Sequence, residues 1–559
     1  MENDRITRLI RRYSELSGIK QNFMSQWQEI VDYLMPYRQS ITSEYSVGSK
    51  RMMKIFDSSP LYAQFLFTAE LHSVMTNPSA QWFSLKMHDD RLNKLPEVQS
   101  WQYETTHTML KTLNNSNFAT QVNEGYLDYS GFGFFIMFIG EDPEDTVYFN
   151  TMDIGECVLG ENNKGQVDTF MREFEWTARQ CYQEFGNKCS SEVLTAAKER
   201  PERKFKIMHS ISNRKDRDVQ SDLPKNMKFE SVYFERQTKQ ILRDSGFREF
   251  PIVAPRFSVT TGEVYGRGVG AIAIPDVKQL NQMNEDIMRA AQKKIDPPII
   301  YLRDSFTGPI RYQPGGATAV RGTSAADKMV PFPAPNDLGF GDKLVEDKRE
   351  QIGRSFFKDL IQVVRADRMT ASEYMGRAED KWRLMGPMLG RMHYEFLRPL
   401  VHRVFSIMYR RGELPPVPPV LQGQQYSAHF VSPLAQAQRL QEAQGIQRTM
   451  EMMVPVIQFK PEVADNWDWD AVIRILSEVN NVPPVINIPV EVVQQTREQR
   501  AQEMAQREAT AQAQEAAKTV VPAVAKGGSP GSPLEAIMET LKGTAQAAQP
   551  ELGVNPEME

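Results

Sequence analysis

The chain has 559 residues and a mass of 64.0 kDa, which at roughly 100 to 200 residues per domain makes about three or four folding units. Hydrophobic residues at 41%, charged residues at 25% and aromatics at 10% exclude a wholly disordered, collagen-like or coiled-coil-only protein. A formal charge of −5, from 66 Lys+Arg against 71 Asp+Glu, excludes a basic protein that grips nucleic acid by neutralising phosphates, but not one that hosts DNA loosely.

From the amino terminus, Ile6, Leu9, Tyr13 and Leu16, then Phe23, Trp27, Ile30 and Leu34, fall at helical spacing, which predicts two helices ending near Pro36. Asp57-Ser58-Ser59-Pro60 supplies a capping oxygen and a first-turn proline for a helix from about Pro60 to Met75. The alternation Trp82 to Met87 predicts a strand, and helices follow from about Pro96 to Leu113 and Ala119 to Tyr129. The run Gly131 to Gly140 (GFGFFIMFIG) reads as a buried strand, being about half the ~20 residues that cross a bilayer. Between 145 and 260, strand-like runs at Val147 to Asn150, Lys204 to Ser210, Ser231 to Glu235 and Ile252 to Phe257 surround one helix at Thr177 to Phe185. This part is expected to be mixed α+β.

Pro275 to Ile295 carries Val277, Leu280, Met283, Ile287 and Ile295 on one seam, a helix about 30 Å long. A proline- and glycine-rich stretch from 297 to 340 follows, then a returning helix from about Gly341 to Val364 with Ile352, Phe356, Leu360 and Val364 on its apolar side. After a break at Val363 to Thr370, a long helix is predicted from Ala371 to Arg411, kinked at Gly386-Pro387 and Pro399. Residues 433 to 516 read as helical, and the tail from about Thr519 as flexible. From residue 451 onward 8 basic residues face 16 acidic ones, so this end is acidic.

Candidate chemistry is sparse. Cys157, Cys181 and Cys189 lack zinc or disulfide spacing, and the amino terminus lacks the charged and apolar regions of a secretory signal; the chain reads as a soluble product of a reducing compartment. Tyr265-Gly266-Arg267-Gly268-Val269-Gly270 lacks both the dinucleotide and the P-loop spacing. Asp465, Asp468 and Asp470 around two tryptophans are read as capping residues rather than a cation site. The basic cluster from Lys198 to Arg217, with 8 basic and 3 acidic residues, is read as a solvated loop. Seven scattered histidines form no triad. No catalytic, cofactor or metal site is expected.

Four stretches resemble the portal, or head-to-tail connector, proteins of short-tailed double-stranded DNA phages: Phe56 to Leu85, Phe250 to Asn284 with its Tyr265-Gly266-Arg267-Gly268 turn, Arg368 to Phe405 with Gly386-Pro387, and Phe430 to Gln441. They span most of residues 50 to 510. The resemblance implies an α+β portal fold: N-terminal helices (1–40), a wing (41–274), a stem helix (275–296), a clip (297–340), a second stem helix (341–364), a tunnel loop (365–370), a kinked wing helix with linker (371–429), a helical crown (430–517) and an acidic tail (518–559). It further implies a ring of about twelve copies at one capsid vertex, a channel for packaging and ejecting duplex DNA. Expected partners are the capsid and scaffolding proteins, the terminase large subunit and the head–tail adaptor, all in the virion. Arg365, Asp367, Arg368 and Met369 would face DNA, and Val277, Leu280, Ile287, Ile352 and Phe356 would pack the stems of neighbouring subunits. Balanced charge from 341 to 364, five basic against five acidic residues, suits a duplex that must slide, because each neutralised phosphate adds affinity. The rival readings are a head-completion adaptor ring, for which this chain is large, and a nucleic-acid-processing enzyme, for which the carboxylate cluster and nucleotide loop are missing.

Overall fold

In a computed structural model the residues described are 2–38, 41–42, 48–218, 221, 223–295, 299–300, 330–331, 339–358, 386, 388–421, 423, 426–430, 433–479, 486, 488 and 490–524. Two compact units divide at residue 482. The first is mixed α+β.

The N-terminal pattern folds as one helix, α1 (Glu2–Tyr33), not two. Its two apolar stripes serve two different cores. Ile6 and Leu9 cover Val158, Met171, Met208, Val232 and Phe234, whereas Phe23, Trp27, Ile30 and Leu34 enter the main core. Gly18, between the stripes, has open space around it, so nothing forces a break there.

The helices α2 (Ser59–Met75), α3 (Pro96–Asn115) and α4 (Phe118–Gly131) lie where the sequence places them. Strand β1 (Phe83–Met87) alternates buried and half-buried residues. Gly131 to Gly140 divides: α4 takes Gly131, Gly133 turns the chain at φ 91°, and β2 (Ile136–Asp142) starts only afterwards. It pairs with β3 (Thr146–Met152) across a hairpin.

A five-stranded antiparallel sheet follows in the order β4 (Cys157–Glu161), β5 (Val167–Thr177), β6 (Lys204–Asn213), β7 (Phe229–Glu235) and β8 (Ile241–Phe247). Because side chains alternate along a strand, Phe205 and Ile207 face one side and Met208 the other. The first side is closed by α5 (Ala178–Phe185) and α6 (Ser191–Glu199), which begin on side-chain caps from Thr177 and Ser190. The second is closed by α1. All three cysteines are buried and unbridged. Strand β9 (Ile252–Val253) returns to β2.

Helix α7 spans Val269–Ile295, 27 residues or about 40 Å. It starts a turn and a half before Pro275, which lies inside it rather than at its start. Of the expected clip, the described part is a small ladder of β10 (Ile299–Ile300) on β11 (Val330–Pro331). Helix α8 (Gly339–Ser355) runs back along α7, with Gly341 beside Ile287 and Lys348 beside Asp276. It ends at Ser355, just before Phe357, an aromatic residue at φ 56° stacked on Phe67 with ring centroids 5.8 Å apart; residues 359–364 of the expected helix lie outside the described residues.

Near the expected kink at Pro399 lies a π-helical turn, His393–Leu397, directly before α9 (Arg398–Arg411). The wider turn makes room for Pro399, whose ring would clash with an α-helical carbonyl. Residues 371–385 and Pro387 lie outside the described set. Strand β12 (Tyr426–Phe430) pairs with β1, more than 300 residues earlier. Helices α10 (Pro433–Phe459) and α11 (Trp469–Val479) complete the unit. The second unit contains α12 (Val490–Val524), 35 residues long, with almost every described side chain from 492 to 512 exposed. Among the described residues no helix is long and apolar enough to cross a membrane.

Candidate functional site

Two glycine motifs far apart in sequence interlock. A Cβ on Gly133 would lie 2.1 Å from the Gly268 nitrogen, one on Gly266 would lie 2.4 Å from the Gly133 oxygen, and one on Gly270 would lie 2.5 Å from the Gly131 oxygen. Residues 131–133 and 265–270 therefore touch backbone to backbone. Phe257 N–H donates to the Gly133 carbonyl at 2.7 Å and Arg267 N–H to the Ser258 carbonyl at 2.8 Å. Tyr265 is buried among Phe23, Trp27 and Phe134 at ring distances of 5.4, 5.3 and 5.4 Å, and its hydroxyl accepts from Leu159 N–H at 3.2 Å. Arg267 pairs with Glu263 and lies 5.3 Å over the Phe23 ring. Backbone already fills the faces of Gly266 and Gly268, which leaves no room for a phosphate. The turn is a structural lock that sets the start of α7.

Next to it, Arg256 is 4% exposed. Its guanidinium donates from Nε to Glu395 Oε2 at 3.1 Å, from Nη2 to Glu395 Oε1 at 2.9 Å and to the Gly165 carbonyl at 2.8 Å, and it pairs with Glu161. Burial alone would push this group down; Glu395 and Glu161 outweigh burial and hold it above its ordinary value. Glu395 is on the π-turn, so one ion pair ties that turn to the sheets. Replacing it, Glu395→Gln, is expected to cost about 3 kcal/mol, the low end for breaking a buried pair because Glu161 still faces Arg256. The change in urea midpoint between the two proteins measures it. Arg403 serves α9 likewise, donating to the Ile139 carbonyl at 2.8 Å, and burial pushes it down to about 10.

Helices α2, α7 and α8 meet at one carboxylate. Asp57 accepts from Ser59 N–H at 2.8 Å, from Asn284 Nδ2 at 2.8 Å and from Arg349 Nε at 2.9 Å, while Asn281 Oδ1 accepts from Phe56 N–H at 2.7 Å. The start of α2, the middle of α7 and the middle of α8 are thus joined. Lys348 adds a pair to Asp276 at 2.9 Å, and Lys278 one to Glu29 of α1 at 2.9 Å.

The expected stem-packing residues are buried or half-buried within a single chain. Val277, Leu280, Ile352 and Phe356 are 0%, 0%, 1% and 0% exposed within a single chain, and Ile287 is half-buried beside Gly341. An apolar seam on α7 needs a partner, and α8, α1 and α4 of the same subunit provide it. Those four side chains have no surface left for a neighbour. Arg365, Asp367, Arg368 and Met369 lie outside the described residues.

The remaining motifs have structural roles. Asp468 Oδ1 accepts from Ala471 N–H at 3.0 Å, a helix-start contact for α11. In the basic cluster Arg203 pairs with Glu192 at 2.6 Å and Arg214 with Asp244 at 3.8 Å. His209 is buried, stacked 3.7 Å from Tyr233 and 3.0 Å from the Ser231 hydroxyl, and burial pushes its pKa well down. Among the described residues no cluster of His, Cys, Asp and Glu is arranged to hold a metal.

The model of the bacteriophage head to tail connecting protein family matches residues 7–487. A probable portal protein of Bordetella phage BPP-1 is 31% identical over 502 residues, 88% of this chain and 90% of the relative. The portal protein of Salmonella phage epsilon15 is 31% identical over 522 residues, 91% of this chain and 94% of the relative. With the glycine lock, the Asp57 joint and the π-turn all inside the matched residues 7–487, this chain belongs to the bacteriophage head to tail connecting protein family.

Proposed function

We propose that the chain is the subunit of a portal ring of about twelve copies, set at one vertex of a phage capsid, through which the genome enters and leaves. The observation that carries this is the family match over residues 7–487. The geometry supports it: an antiparallel helix pair stands on a mixed α+β base and is fixed to it at Asp57. In this reading α7 and α8 are the stem, residues 297–338 the clip, and the helices after β12 the crown. Arg365, Asp367, Arg368 and Met369 face the duplex. Partners are the capsid and scaffolding proteins, a terminase at the clip and the tail adaptor. The subunit performs no chemistry, and ATP hydrolysis belongs to the terminase.

Native mass spectrometry with negative-stain images of the same preparation tests the ring. A closed assembly of about twelve 64.0 kDa chains with a central hole is expected. A species that stays monomeric or dimeric at every concentration, with scaffolding protein present, would sink the reading.

A further inference from the structure

Nothing local in the sequence ends α8 where it ends. From Gln351 to Val364 there is no proline and, after Gly353, no glycine or asparagine, the residues that stop a helix or accept its left-handed last step. Ile352, Phe356, Leu360 and Val364 continue one apolar stripe at four-residue steps. Yet the helix stops at Ser355, the chain turns at Phe356 and Phe357, and Lys358 is helical again. Phe357 takes φ 56°, a left-handed conformation that a bulky residue adopts only against a steric penalty.

The break is held from outside the helix. The Phe357 ring stacks on Phe67 of α2 at 5.8 Å and 25°, and the fully buried Phe356 meets the same ring edge-on at 6.5 Å. Phe356 N–H donates to the Ile352 carbonyl at 3.2 Å, as in a helix, but Phe357 N–H donates to the Arg354 carbonyl at 3.0 Å, one residue short. A Cβ on Gly353 would lie 3.2 Å from Lys358 Cδ, so Lys358 lies over Gly353, whereas in an unbroken helix it would stand one turn above Arg354. Local preference and tertiary contact oppose each other at one residue, the arrangement from which bistable elements are built.

We propose that the end of α8 is a helix switch. With the Phe357 ring on Phe67, α8 is broken; with the ring withdrawn, α8 runs unbroken into Lys358 and redirects the chain that follows. Movement of α2 against α8 is the input, because Phe67 is the ring that holds the break. The switch lies within one chain and stands or falls independently of ring assembly.

The test reads helix continuity with nickel, since two histidines four residues apart share a face and hold a divalent ion where the helix between them is unbroken. Arg354→His with Lys358→His spans the break, and Lys343→His with Asp347→His, in the regular part of α8, is the reference pair. Each is titrated with Ni²⁺ in the untagged full-length protein beside single-histidine variants and the wild type, whose seven native histidines set the background. With the unbroken state at about 1–10% of the population, the pair across the break is expected to bind about 10- to 100-fold more weakly than the reference. Phe357→Ala and Phe357→Gly separate the causes. Both remove the ring, but alanine favours the helix and glycine the left-handed turn. Added to the pair across the break, alanine is expected to bring it within about threefold of the reference, and glycine to leave it at least about tenfold weaker than alanine does. Phe67→Leu, which keeps the core apolar, is expected to tighten binding about three- to tenfold. An unchanged reference pair in the same variants reports that each has folded. Equal affinities with alanine and glycine would overturn the proposal. So would a pair across the break that matches the reference with Phe357 in place, or one that stays at single-histidine affinity in Phe357→Ala.

Discussion

Gly133→Ala is expected to yield no soluble, folded subunit, while Gly18→Ala and Gly165→Ala both fold. The three glycines separate the physical terms. Gly18 is helical with open space around it, so alanine there stabilises by about 0.5–1 kcal/mol. Gly165 has φ 71° and open space, so alanine there meets only the left-handed penalty, about 1–2 kcal/mol. Gly133 combines φ 91° with main-chain atoms of Arg267 and Gly268 at 2.2 and 2.1 Å from the new Cβ. Backbone cannot step aside as a flexible side chain can, so the two motifs would separate, exposing the cluster of Tyr265, Trp27 and Phe134. That places the cost beyond the 4–5 kcal/mol that few substitutions reach. Soluble yield and urea unfolding of the three proteins check it; a folded Gly133→Ala subunit with a near-native midpoint would contradict the lock.

The same region shows what a sequence makes legible. Tyr265 to Gly268 and Gly131 to Gly140 both stand out as glycine-rich, but nothing in either says that one is the counterpart of the other. Close backbone approach is a pairwise property, and the sequence presents its halves 130 residues apart. Local signals fare better. The alternation at Phe83 to Met87, the capped start of α5 and the apolar spacing of α2 to α4 each identify an element, because turn chemistry and periodicity act within a few residues. The pairing of β1 with β12 was invisible for the converse reason. In α1 the periodicity marks which residues are buried but not against what: two stripes imply two buried faces, and one helix buries both.

The candidate site divides in the same way. The apolar seam of α7 is legible as a seam, yet its partner is not, since Val277 and Leu280 would read alike against a neighbour or against α8. Arg256 and Glu395 had no signal at all: each is one charged residue among many, and only burial makes the pair decisive. Asp57 was half legible. Its place before Ser59-Pro60 marks a cap, while its bonds to Asn284 and Arg349 belong to the tertiary structure.

Asp57→Ala is therefore expected to act on α7 and α8 as well as on α2. The carboxylate is buried and serves three donors at once. Removing it costs a helix cap and leaves Asn284 without its acceptor, together about 3 kcal/mol. Arg349, 41% exposed, is rehydrated and adds little. Burial pushes the Asp57 carboxyl up, but Ser59 and Arg349 outweigh burial and hold it below its ordinary value. The sign of the pH dependence follows. Its contribution is fully present above the unfolded carboxylate value of about 3.9, and is lost as pH falls through the lower folded value. Urea midpoints of the wild type and Asp57→Ala should differ most at neutral pH and converge as the solution is acidified below about 4. Asp57→Asn keeps an acceptor for one N–H and should lose less. Hydrogen exchange gives the second readout: amides of α7 and α8 should exchange faster in Asp57→Ala, while those of the five-stranded sheet should not. A midpoint difference independent of pH would remove the carboxylate's charge from the joint, and unchanged exchange in α7 and α8 would confine Asp57 to capping α2.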